Sequence, residues 1–232
     1  MSTDEYKRQA AEAALKLVQD GMTLGLGTGS TAAHFVAGLG AMVRDGLNIT
    51  GIPTSEGARE LAQAAGVPLT TPDETTRIDL AVDGADEIDG ALQLIKGGGG
   101  AHLREKIVAR RAEKFVVIAD ASKCVSQLGA FALPVEITPA LWGLTVSEIR
   151  AALAECGYEN ACISLRRLAD GGEVLSDNGG YIINCALDRI VDAERLDLAL
   201  RNIPGVVETG LFLGMTDLAF IAGPDGIVQM KP

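Results

Sequence analysis

The chain has little of several residue types whose abundance marks specialised classes of protein. Among its 232 residues 4% are aromatic, two are His and four are Cys, and the 20 Lys and Arg are outnumbered by 31 Asp and Glu. A formal charge of -11 gives no general attraction for a phosphate backbone, so we expect no nucleic-acid partner. The cysteines show neither C-x-x-C spacing nor the density of a disulfide scaffold, and we expect reduced core thiols at Cys124, Cys156, Cys162 and Cys185.

Long apolar runs without glycine or polar residues are also missing. The uncharged segment 21–43 has the length of a membrane span, but it contains six glycines, three threonines, a serine and a histidine, which exclude that interpretation. Residues 1–8 are charged and lack the apolar stretch of a secretory signal, so we expect a cytoplasmic protein with no membrane partner. His34 and His102 lie at no ligand spacing from a cysteine pair, and we expect no metal site.

The sequence does contain apolar residues in regular patterns. With 47% hydrophobic residues and a mean hydropathy of +0.22, the chain has enough of them for a buried core, and its length corresponds to one or two domains. In the first half, helical patterns over 4–18, 31–42, 55–65 and 101–112 alternate with strand patterns over 23–26, 48–52, 78–82, 91–95 and 115–119. This alternation predicts βαβ units in a parallel sheet with helices on both faces.

The pattern changes after Ser122. Strand patterns over 133–137, 161–168, 181–185 and 206–210 and helical patterns over 145–155 and 193–201 give the order β-α-β-β-α-β, which is the ferredoxin-like arrangement. The tail, over 217–222 and 227–230, resembles strands that return to the first sheet. We therefore predict an α/β fold in which a Rossmann-like catalytic domain, 1–130 and 206–232, carries a smaller α+β domain, 131–205, inserted near its C-terminus.

The first segment that suggests chemistry is GLGTGST at 25–31, between a predicted strand and a predicted helix. Alternating glycines allow a tight turn with outward-pointing amides, and Thr28, Ser30 and Thr31 add hydroxyls at the helix start, which suits a phosphate. The dinucleotide fingerprint requires glycine where Ser30 stands, and no G-K-[ST] of a Walker loop follows. A capped turn without a ligand is the alternative.

The second segment, DGADEID at 83–89, places four carboxylates directly after an apolar strand. Close like charges raise one another's pKa, and ligands of open α/β sheets bind at the carboxyl ends of the strands. These acids therefore suit proton transfer or the binding of sugar hydroxyls. Metal binding is a secondary interpretation, because the spacing is not that of a calcium loop, and a solvated acidic turn is the alternative without function.

The third segment is KGGGG at 96–100, followed by a helical pattern that contains Glu105. Four consecutive glycines cost conformational entropy, so this stretch favours close approach of the main chain to a ligand. Lys96 and the glycine amides are candidate oxyanion donors, and Glu105 is a candidate general base. A flexible surface turn is the alternative. We interpret His102 as an ordinary, partly exposed helix residue. A fourth and weaker signal is Lys123, which follows another predicted strand.

Taken together, these segments resemble ribose-5-phosphate isomerases of the A type. The matching stretches, in order, are GLGTGST at 25–31, VDGADE at 82–87, IKGGG at 95–99, REKIV at 104–108, ADASK at 119–123, LPVEI at 133–137, IPGVV at 203–207 and GLF at 210–212. Each stretch is modest evidence by itself. The ordered set covers nearly the whole chain and is highly specific.

The resemblance implies an interconversion of D-ribose 5-phosphate and D-ribulose 5-phosphate through an enediol or enediolate, without cofactor or metal, by a cytoplasmic homodimer or homotetramer. It implies Glu105 as the general base. The implied substrate site consists of Thr28, Gly29, Ser30, Thr31, Asp83, Gly84, Ala85, Asp86, Lys96, Gly97, Gly98, Gly99 and Lys123. Proton transfer also needs groups that open the sugar ring and stabilise the oxygen charge. We assign Lys96 to the oxygen and Asp83 or Asp86 to ring opening, with Asp83 preferred. For the phosphate, Lys7 and Lys123 are candidates beside the loop at 28–31.

One residue departs from the family pattern, because we expect a small or apolar residue where His102 stands. Glu105 keeps its nine-residue distance from Lys96, so the mechanism is unaffected, and we hypothesise that His102 alters the pH response.

Three other classes of protein are weaker interpretations of the sequence. The chain lacks the third fingerprint glycine that a nicotinamide-dependent dehydrogenase requires, and it lacks the basic DNA-binding segment expected of a sugar-phosphate-sensing regulator. A CoA transferase or sugar-phosphate deaminase is supported by analogy of fold alone.

Overall fold

The computed structural model describes residues 2–232, which form two compact units. The first unit consists of the chain up to Ala85, Arg104–Cys124 and Gly214–Pro232, and the second consists of Asp86–Leu103 and Val125–Leu213. The second unit is therefore inserted in the sequence of the first. It is larger than the predicted small domain 131–205, because it also takes in 86–103 and the segments that flank the predicted domain.

The elements follow one another in the alternating order that the sequence predicts. The strands are β1 (Thr23–Leu26), β2 (Thr50–Pro53), β3 (Leu80–Asp83), β4 (Glu87–Ile88), β5 (Leu94–Ile95), β6 (Phe115–Asp120), β7 (Leu133–Ile137), β8 (Cys162–Leu165), β9 (Tyr181–Ala186), β10 (Val206–Thr209), β11 (Leu211–Phe212), β12 (Leu218–Gly223) and β13 (Gly226–Met230). The helices are α1 (Thr3–Leu15), α2 (Ser30–Arg44), α3 (Glu56–Ala65), α4 (His102–Arg111), α5 (Trp142–Glu155) and α6 (Ala193–Arg201). A short 3-10 turn, Ala121–Lys123, follows β6.

The first unit is built on a six-stranded sheet in the order β13-β12-β6-β3-β1-β2. All its neighbouring strands are parallel except β12 and β13, which form an antiparallel hairpin. From β1 the chain moves outward to β2 and then crosses back to place β3 on the other side of β1. The carboxyl ends of β1 and β3 therefore flank a topological switch point, where open α/β sheets bind their ligands.

The core of the first unit lies on the sheet face that α1 and α2 cover. Ala10 and Ala14 of α1 and Phe35 and Leu39 of α2 are fully buried with apolar side chains of the central strands. The small side chains of α1 allow that helix to approach the sheet closely. Ser2 caps its start by accepting a hydrogen bond from the amide of Glu5. The predicted parallel sheet with covering helices is confirmed, and its central strands are buried along their length, as strands with two covered faces are.

The second unit contains the ferredoxin-like element order β7-α5-β8-β9-α6-β10 that the sequence predicts. Its four strands form an antiparallel sheet in the order β10-β7-β9-β8, and its core includes Ile137, Ile149, Ile183 and Leu196. A further three-stranded antiparallel sheet, β11-β5-β4, was not predicted. Each of its strands has two residues, which is too short for a periodic pattern, and this sheet brings 86–103 into the second unit.

Two expectations about the surface can be compared with the described residues. All four cysteines are free thiols, and Cys185 is buried while Cys156 is partly buried against the core of the second unit. The prediction that they belong to the core is wrong for Cys124 and Cys162, which are exposed. Over residues 2–232, none of the helices has the length and apolarity to cross a bilayer.

Candidate active site

The loop after β1 is shaped by three glycines. In β1, a Cβ on Gly25 would lie 2.4 Å from a methyl group of Val108 in α4, so glycine lets that helix pack on the strand. Gly29 has a φ of 105°, a value that favours glycine, and it occupies the N-cap position of α2. Because glycine has no capping side chain, the first turn of α2 receives no side-chain cap from it. This helix start suits an anionic group, as the sequence predicts.

The hydroxyl groups of this loop belong to a local network. The Thr28 hydroxyl lies 2.9 Å from that of Thr54 and donates to that of Ser55 at 2.8 Å. The ammonium group of Lys7, on α1, donates to the Ser30 hydroxyl at 2.9 Å. Lys7 is therefore in place beside the loop and supplies positive charge to a chain that is strongly acidic on average.

The carboxylate of Asp83 is held at the end of β3, next to this loop. Its Oδ1 accepts hydrogen bonds from the amides of Thr28, at 3.1 Å, and Gly84, at 2.7 Å. A Cβ on Gly27 would lie 2.3 Å from the carboxyl carbon of Asp83, so the glycine at this position makes room for the acid. Asp83 is 3% exposed, so the sequence-predicted acid is a buried and oriented group.

Glu105 lies in the first turn of α4 and is 5% exposed. It lines a small enclosed pocket together with Gly27, Thr54 and Asp83. The structure therefore brings the predicted general base and the predicted ring-opening acid to one pocket of the first unit. Two buried carboxyl groups that line one pocket are candidates for separate acid and base roles.

The acidic segment 83–89 divides into groups with different tasks. Glu87 is buried and accepts hydrogen bonds from the amides of Gly129, at 2.7 Å, and Phe131. Asp89 accepts from the amides of Ala91 and Gln93 and so closes a turn. These two acids are bound to the main chain of their own unit. Asp83 and Asp86 remain as the candidates for chemistry.

In the second unit, Asp86 binds the glycine-rich loop that we define as residues 96–100. Its Oδ2 accepts a hydrogen bond from the Gly98 amide at 2.7 Å, and a Cβ on Gly98 would lie 2.7 Å from Oδ1. Gly97 has a φ of 104° and its carbonyl accepts from the Gly100 amide at 2.9 Å, which closes the loop. Of the predicted oxyanion donors, the Gly98 amide is therefore engaged by Asp86.

Lys96, at the start of this loop, is 3% exposed. Its amide donates to the Gly210 carbonyl at 2.9 Å, and its ammonium nitrogen lies 5.6 Å from the centre of the Phe212 ring. A cation over an aromatic ring keeps some stabilisation when it leaves water. The lysine is thereby fixed as a buried charged group of the second unit, which suits the predicted role at an oxygen.

The structure corrects the interpretation of His102. This residue is fully buried, not partly exposed, and its Nε2 lies 3.2 Å from the Glu208 carbonyl. The His102 side chain packs against Gly97, where a Cβ would lie 2.7 Å from Nδ1. The pattern of α4 did not reveal this, because the burying contacts come from residues distant in sequence.

Lys123 ends the 3-10 turn after β6 and is half-buried. Asp120 caps this turn by accepting a hydrogen bond from the Ser122 amide at 3.1 Å. Asp120 is 2% exposed and lies at the carboxyl end of β6, the strand beside β3. The predicted lysine thus stands at the same edge of the parallel sheet as Asp83.

Sequence reasoning missed one residue of the second unit, Arg166, which follows β8. Its Nη1 donates to the carbonyls of Gly97 and Gly98, at 3.0 Å each, and its Nη2 donates to Oδ1 of Asn184 at 2.6 Å. No sequence signal distinguishes it from the adjacent Arg167, which pairs on the surface with Glu173.

A Rossmann-like parallel sheet with an inserted antiparallel domain, and with buried carboxylates at its carboxyl edge, defines this chain as an α/β enzyme. A family model for ribose 5-phosphate isomerase A (phosphoriboisomerase A) matches residues 50–226. The chain belongs to the ribose 5-phosphate isomerase A family.

Individual relatives agree with this assignment. Ribose-5-phosphate isomerase A of Rhodopseudomonas palustris (strain BisB18) is 56% identical over 98% of this chain and 97% of its own. The structure of ribose 5-phosphate isomerase A from Methanocaldococcus jannaschii is 42% identical over the full length of both chains, with a TM-score of 0.91. A D-ribose-5-phosphate isomerase solved in complex with phospho-erythronic acid is 38% identical, again over both full lengths, with a TM-score of 0.92. The likeness therefore covers both units.

Proposed function

We propose that this chain interconverts D-ribose 5-phosphate and D-ribulose 5-phosphate in the non-oxidative pentose phosphate pathway. Membership of the ribose 5-phosphate isomerase A family supports the activity. The structural observation that carries the proposal is the pair of buried carboxylates, Asp83 and Glu105, in one pocket at the carboxyl edge of the parallel sheet. An aldose–ketose isomerisation needs a base that moves a proton between adjacent carbons, and a second group that handles the hydroxyl protons.

The phosphate of the substrate binds at the start of α2. Thr28, Gly29, Ser30 and Thr31 provide amides and hydroxyls there, and Lys7 supplies a cation within hydrogen-bond distance of Ser30. Lys123 adds a second cation at this edge of the sheet. Local donors thereby overcome the unfavourable net charge of -11.

Asp83 assists ring opening, and Glu105 then acts on the open-chain sugar. The Glu105 carboxylate takes the proton from C2, and the C–H electron pair forms the C1–C2 double bond as the carbonyl π pair moves to O1, which gives the enediolate. The Glu105 carboxyl group, whose proton exchanges in part with solvent, then protonates C1 while the carbonyl forms at C2. Asp83 moves the proton between O1 and O2. This assignment is supported over Asp86 because Asp83 lines the pocket that Glu105 also lines, and because two backbone amides orient its carboxylate.

The negative charge that develops on the oxygens is stabilised by Lys96 and by the amides of Gly97 and Gly99, because the Gly98 amide of the expected donor set is engaged by Asp86. The Asp86 carboxylate, which accepts from the Gly98 amide, sets the shape of the glycine-rich loop. With Gly84 and Ala85, Asp86 also belongs to the proposed set of substrate-binding residues. These steps use side chains and amides of the chain itself, and the proposed reaction requires neither cofactor nor metal.

The proposal is tested on protein that has been dialysed against a chelator. Incubated with ribose 5-phosphate and no added cofactor, the protein should form ketopentose, and the absence of product contradicts the proposed function. Glu105→Gln should lower kcat about 10²- to 10⁴-fold with little change in substrate binding, and should abolish deuterium exchange at C1 in D₂O. The exposed carboxylate of Glu148 provides the control, since Glu148→Gln should keep the wild-type rate. Retained turnover in Glu105→Gln assigns the base to another residue.

Phospho-erythronic acid, the ligand of one related structure, serves as a second probe. Its carboxylate imitates the two oxygens of the enediolate, so it should inhibit this chain competitively. Glu105→Gln should still bind it, because the donors to the carboxylate are Lys96 and the loop amides. Lys96→Met should bind it at least tenfold more weakly, a loss of about 1.4 kcal/mol or more.

We further propose that the protein acts in the cytoplasm as a homodimer or homotetramer. The four free thiols, two of them exposed, suit a reducing compartment. Leu141, Trp142 and Leu144 are exposed apolar side chains near the start of α5, of the kind that subunit contacts cover. Sedimentation equilibrium distinguishes the assemblies, and a monomer at all concentrations contradicts this part of the proposal.

A further inference from the structure

The guanidinium group of Arg166 joins the glycine-rich loop to the antiparallel sheet of the second unit. One of its nitrogens, Nη1, donates to the main-chain oxygens of both Gly97 and Gly98 at 3.0 Å, and Nη2 donates to the Asn184 side chain, on β9, at 2.6 Å. The amide of Arg166 also donates to the Ile182 carbonyl at 2.8 Å. Both the side chain and the main chain of Arg166 are therefore fixed by the sheet while the cation contacts the loop.

Arg166 differs from its neighbour Arg167 in its surroundings. Burial lowers the pKa of Arg166, and the nearby Asp86 acts in the opposite direction. An arginine nevertheless remains a cation at neutral pH. Arg167 is exposed and contacts the Gly171 carbonyl and Glu173. Of these two adjacent cations, only Arg166 is partly withdrawn from water and binds main-chain oxygens of the loop, which costs desolvation free energy that its contacts must offset.

The two carbonyls that Arg166 binds belong to the peptide groups that supply the candidate oxyanion donors. The oxygen of Gly97 shares its peptide group with the N–H of Gly98, and the oxygen of Gly98 shares its group with the N–H of Gly99. Hydrogen bonds in a chain polarise one another, so a cation at the carbonyl end strengthens the N–H at the other end as a donor. The Gly98 N–H already donates to a carboxylate, that of Asp86, at 2.7 Å.

We propose that Arg166 is a positioning residue of the isomerisation: by binding the carbonyls of Gly97 and Gly98 it holds the glycine-rich loop in shape, with the Gly98 amide on Asp86, and polarises the Gly99 amide toward the enediolate oxygen. This inference rests on the proposed function and adds to it. Arg166 acts through the loop and does not contact the substrate. Its contribution therefore grows as negative charge develops on the oxygen. Loss of Arg166 should lower kcat more than it changes KM.

A purely structural role of the same contacts makes different predictions. If Arg166 only ties the loop to the sheet, any loss of activity should accompany a loss of folding stability, and a small cation in solution should not restore the rate. If it also polarises the amides, the positive charge itself matters. A lysine keeps the charge but lacks the second nitrogen that donates to Asn184, so it should restore the rate in part.

The test compares Arg166→Ala, Arg166→Lys and the control Arg167→Ala by steady-state kinetics with ribose 5-phosphate and by thermal unfolding. Arg166→Ala should lose about 10- to 100-fold in kcat with less than about a threefold change in KM, which is smaller than the loss of a direct oxyanion donor. Arg166→Lys should have an intermediate rate, and Arg167→Ala should equal the wild type. Guanidinium chloride, well below unfolding concentrations, should raise the rate of Arg166→Ala and leave Arg166→Lys unchanged.

A wild-type kcat in Arg166→Ala overturns the inference, and so does a loss that guanidinium fails to restore. Should Arg166→Ala not fold, Arg166→Lys decides the matter, since a wild-type kcat in that variant overturns the inference by showing that a guanidinium group held by both the loop carbonyls and Asn184 is not needed. These results are distinct from a failure of the proposed function, which appears as an inactive wild-type protein.

Discussion

Gly27 and Asp83 lie so close together that a side chain at position 27 would collide with the Asp83 carboxylate. A Cβ on Gly27 would lie 2.3 Å from the carboxyl carbon and Oδ1 of Asp83, and 2.5 Å from its Cα. The amide of Gly27 also donates to the Val82 carbonyl at 2.9 Å. The end of β1 thus fixes the main chain and the carboxylate at the end of β3. Glycine is required at position 27 because the two segments approach closely, and not because of its backbone conformation, since its φ does not lie in the left-handed region.

Gly27→Ala should therefore displace Asp83 and reduce catalysis more than it reduces stability. Overpacking at such a site costs about 1 to 3 kcal/mol, whereas a displacement of a catalytic group by about 1 Å costs on the order of 100-fold in rate. Steady-state kinetics and urea unfolding measure the two effects. Gly143→Ala is the control, because that helical glycine has open space around it and alanine there should be neutral or slightly stabilising. Wild-type kcat in Gly27→Ala contradicts this account of Asp83.

Much of the fold follows from patterns that the sequence carries locally. β1, β7 and α6 have the predicted bounds, and several other elements differ by one to three residues at their ends. The helix predicted at 4–18 ends at Leu15, and α5 begins at Trp142, three residues before its predicted start. Helix ends depend on main-chain contacts that residue type fixes only weakly. The sheet β11-β5-β4 was missed for a related reason, because pairing between distant two-residue strands leaves no period in the sequence.

The candidate site was predictable to the extent that residue types reveal main-chain geometry. Glycines at 25, 27 and 29 and the acid at the end of β3 mark a tight loop and a strand end, which identifies Asp83 as a candidate. Glu105 is identified because it is the carboxylate beside the glycine run 97–100 on its helix, and the family resemblance gives both residues their roles. The residues that act through long-range contacts were not predictable. Arg166 contacts a loop nearly seventy positions away, and His102 contacts the Glu208 carbonyl, and neither pairing leaves a local pattern.

The acids Glu87 and Asp86, adjacent in sequence, should respond to substitution in opposite ways. Glu87→Ala removes the acceptor for two amides, so it should cost about 2 to 4 kcal/mol of folding free energy while the folded fraction keeps a near-normal kcat. Asp86→Asn should leave stability within about 1 kcal/mol and lower kcat at least tenfold, because the Gly98 amide and the substrate lose a charged acceptor. Urea unfolding and kinetics on the same preparations check both. A stable Glu87→Ala, or a fully active Asp86→Asn, contradicts the division of tasks within the acidic segment.

His102 should influence catalysis through its contact with Gly97. His102→Leu keeps a buried side chain of similar reach but loses the hydrogen bond to the Glu208 carbonyl, so the loop should loosen and kcat should fall about two- to tenfold, as is typical of a lost hydrogen bond of about 1 kcal/mol. The pH–rate profile tests the hypothesis that this histidine shapes the pH response. The acid limb should differ between the wild type and His102→Leu, because protonation adds a cation to a fully buried ring. Superimposable profiles contradict that hypothesis.

The buried thiol of Cys185, on β9, should make the protein less stable in alkaline solution. Burial raises its pKa from an ordinary value of about 9 to about 12. Below pH 9 the folded and unfolded chains both hold the thiol proton, so this group adds no pH dependence. Between pH 9 and pH 12 only the folded chain holds it, and the free energy of unfolding falls as the pH rises, by about 1.4 kcal/mol for each pH unit.

Urea unfolding at about pH 8 and about pH 10.5 measures this effect as a difference between variants, since lysines and tyrosines titrate in all of them. Cys185→Val removes the thiol and should lose stability less steeply than the wild type over that interval. Cys162→Ser, at an exposed thiol, is the control and should keep the wild-type slope. Equal slopes in the wild type and Cys185→Val would show that the Cys185 thiol reaches solvent before the chain unfolds, and that the core of the antiparallel sheet opens locally around β9.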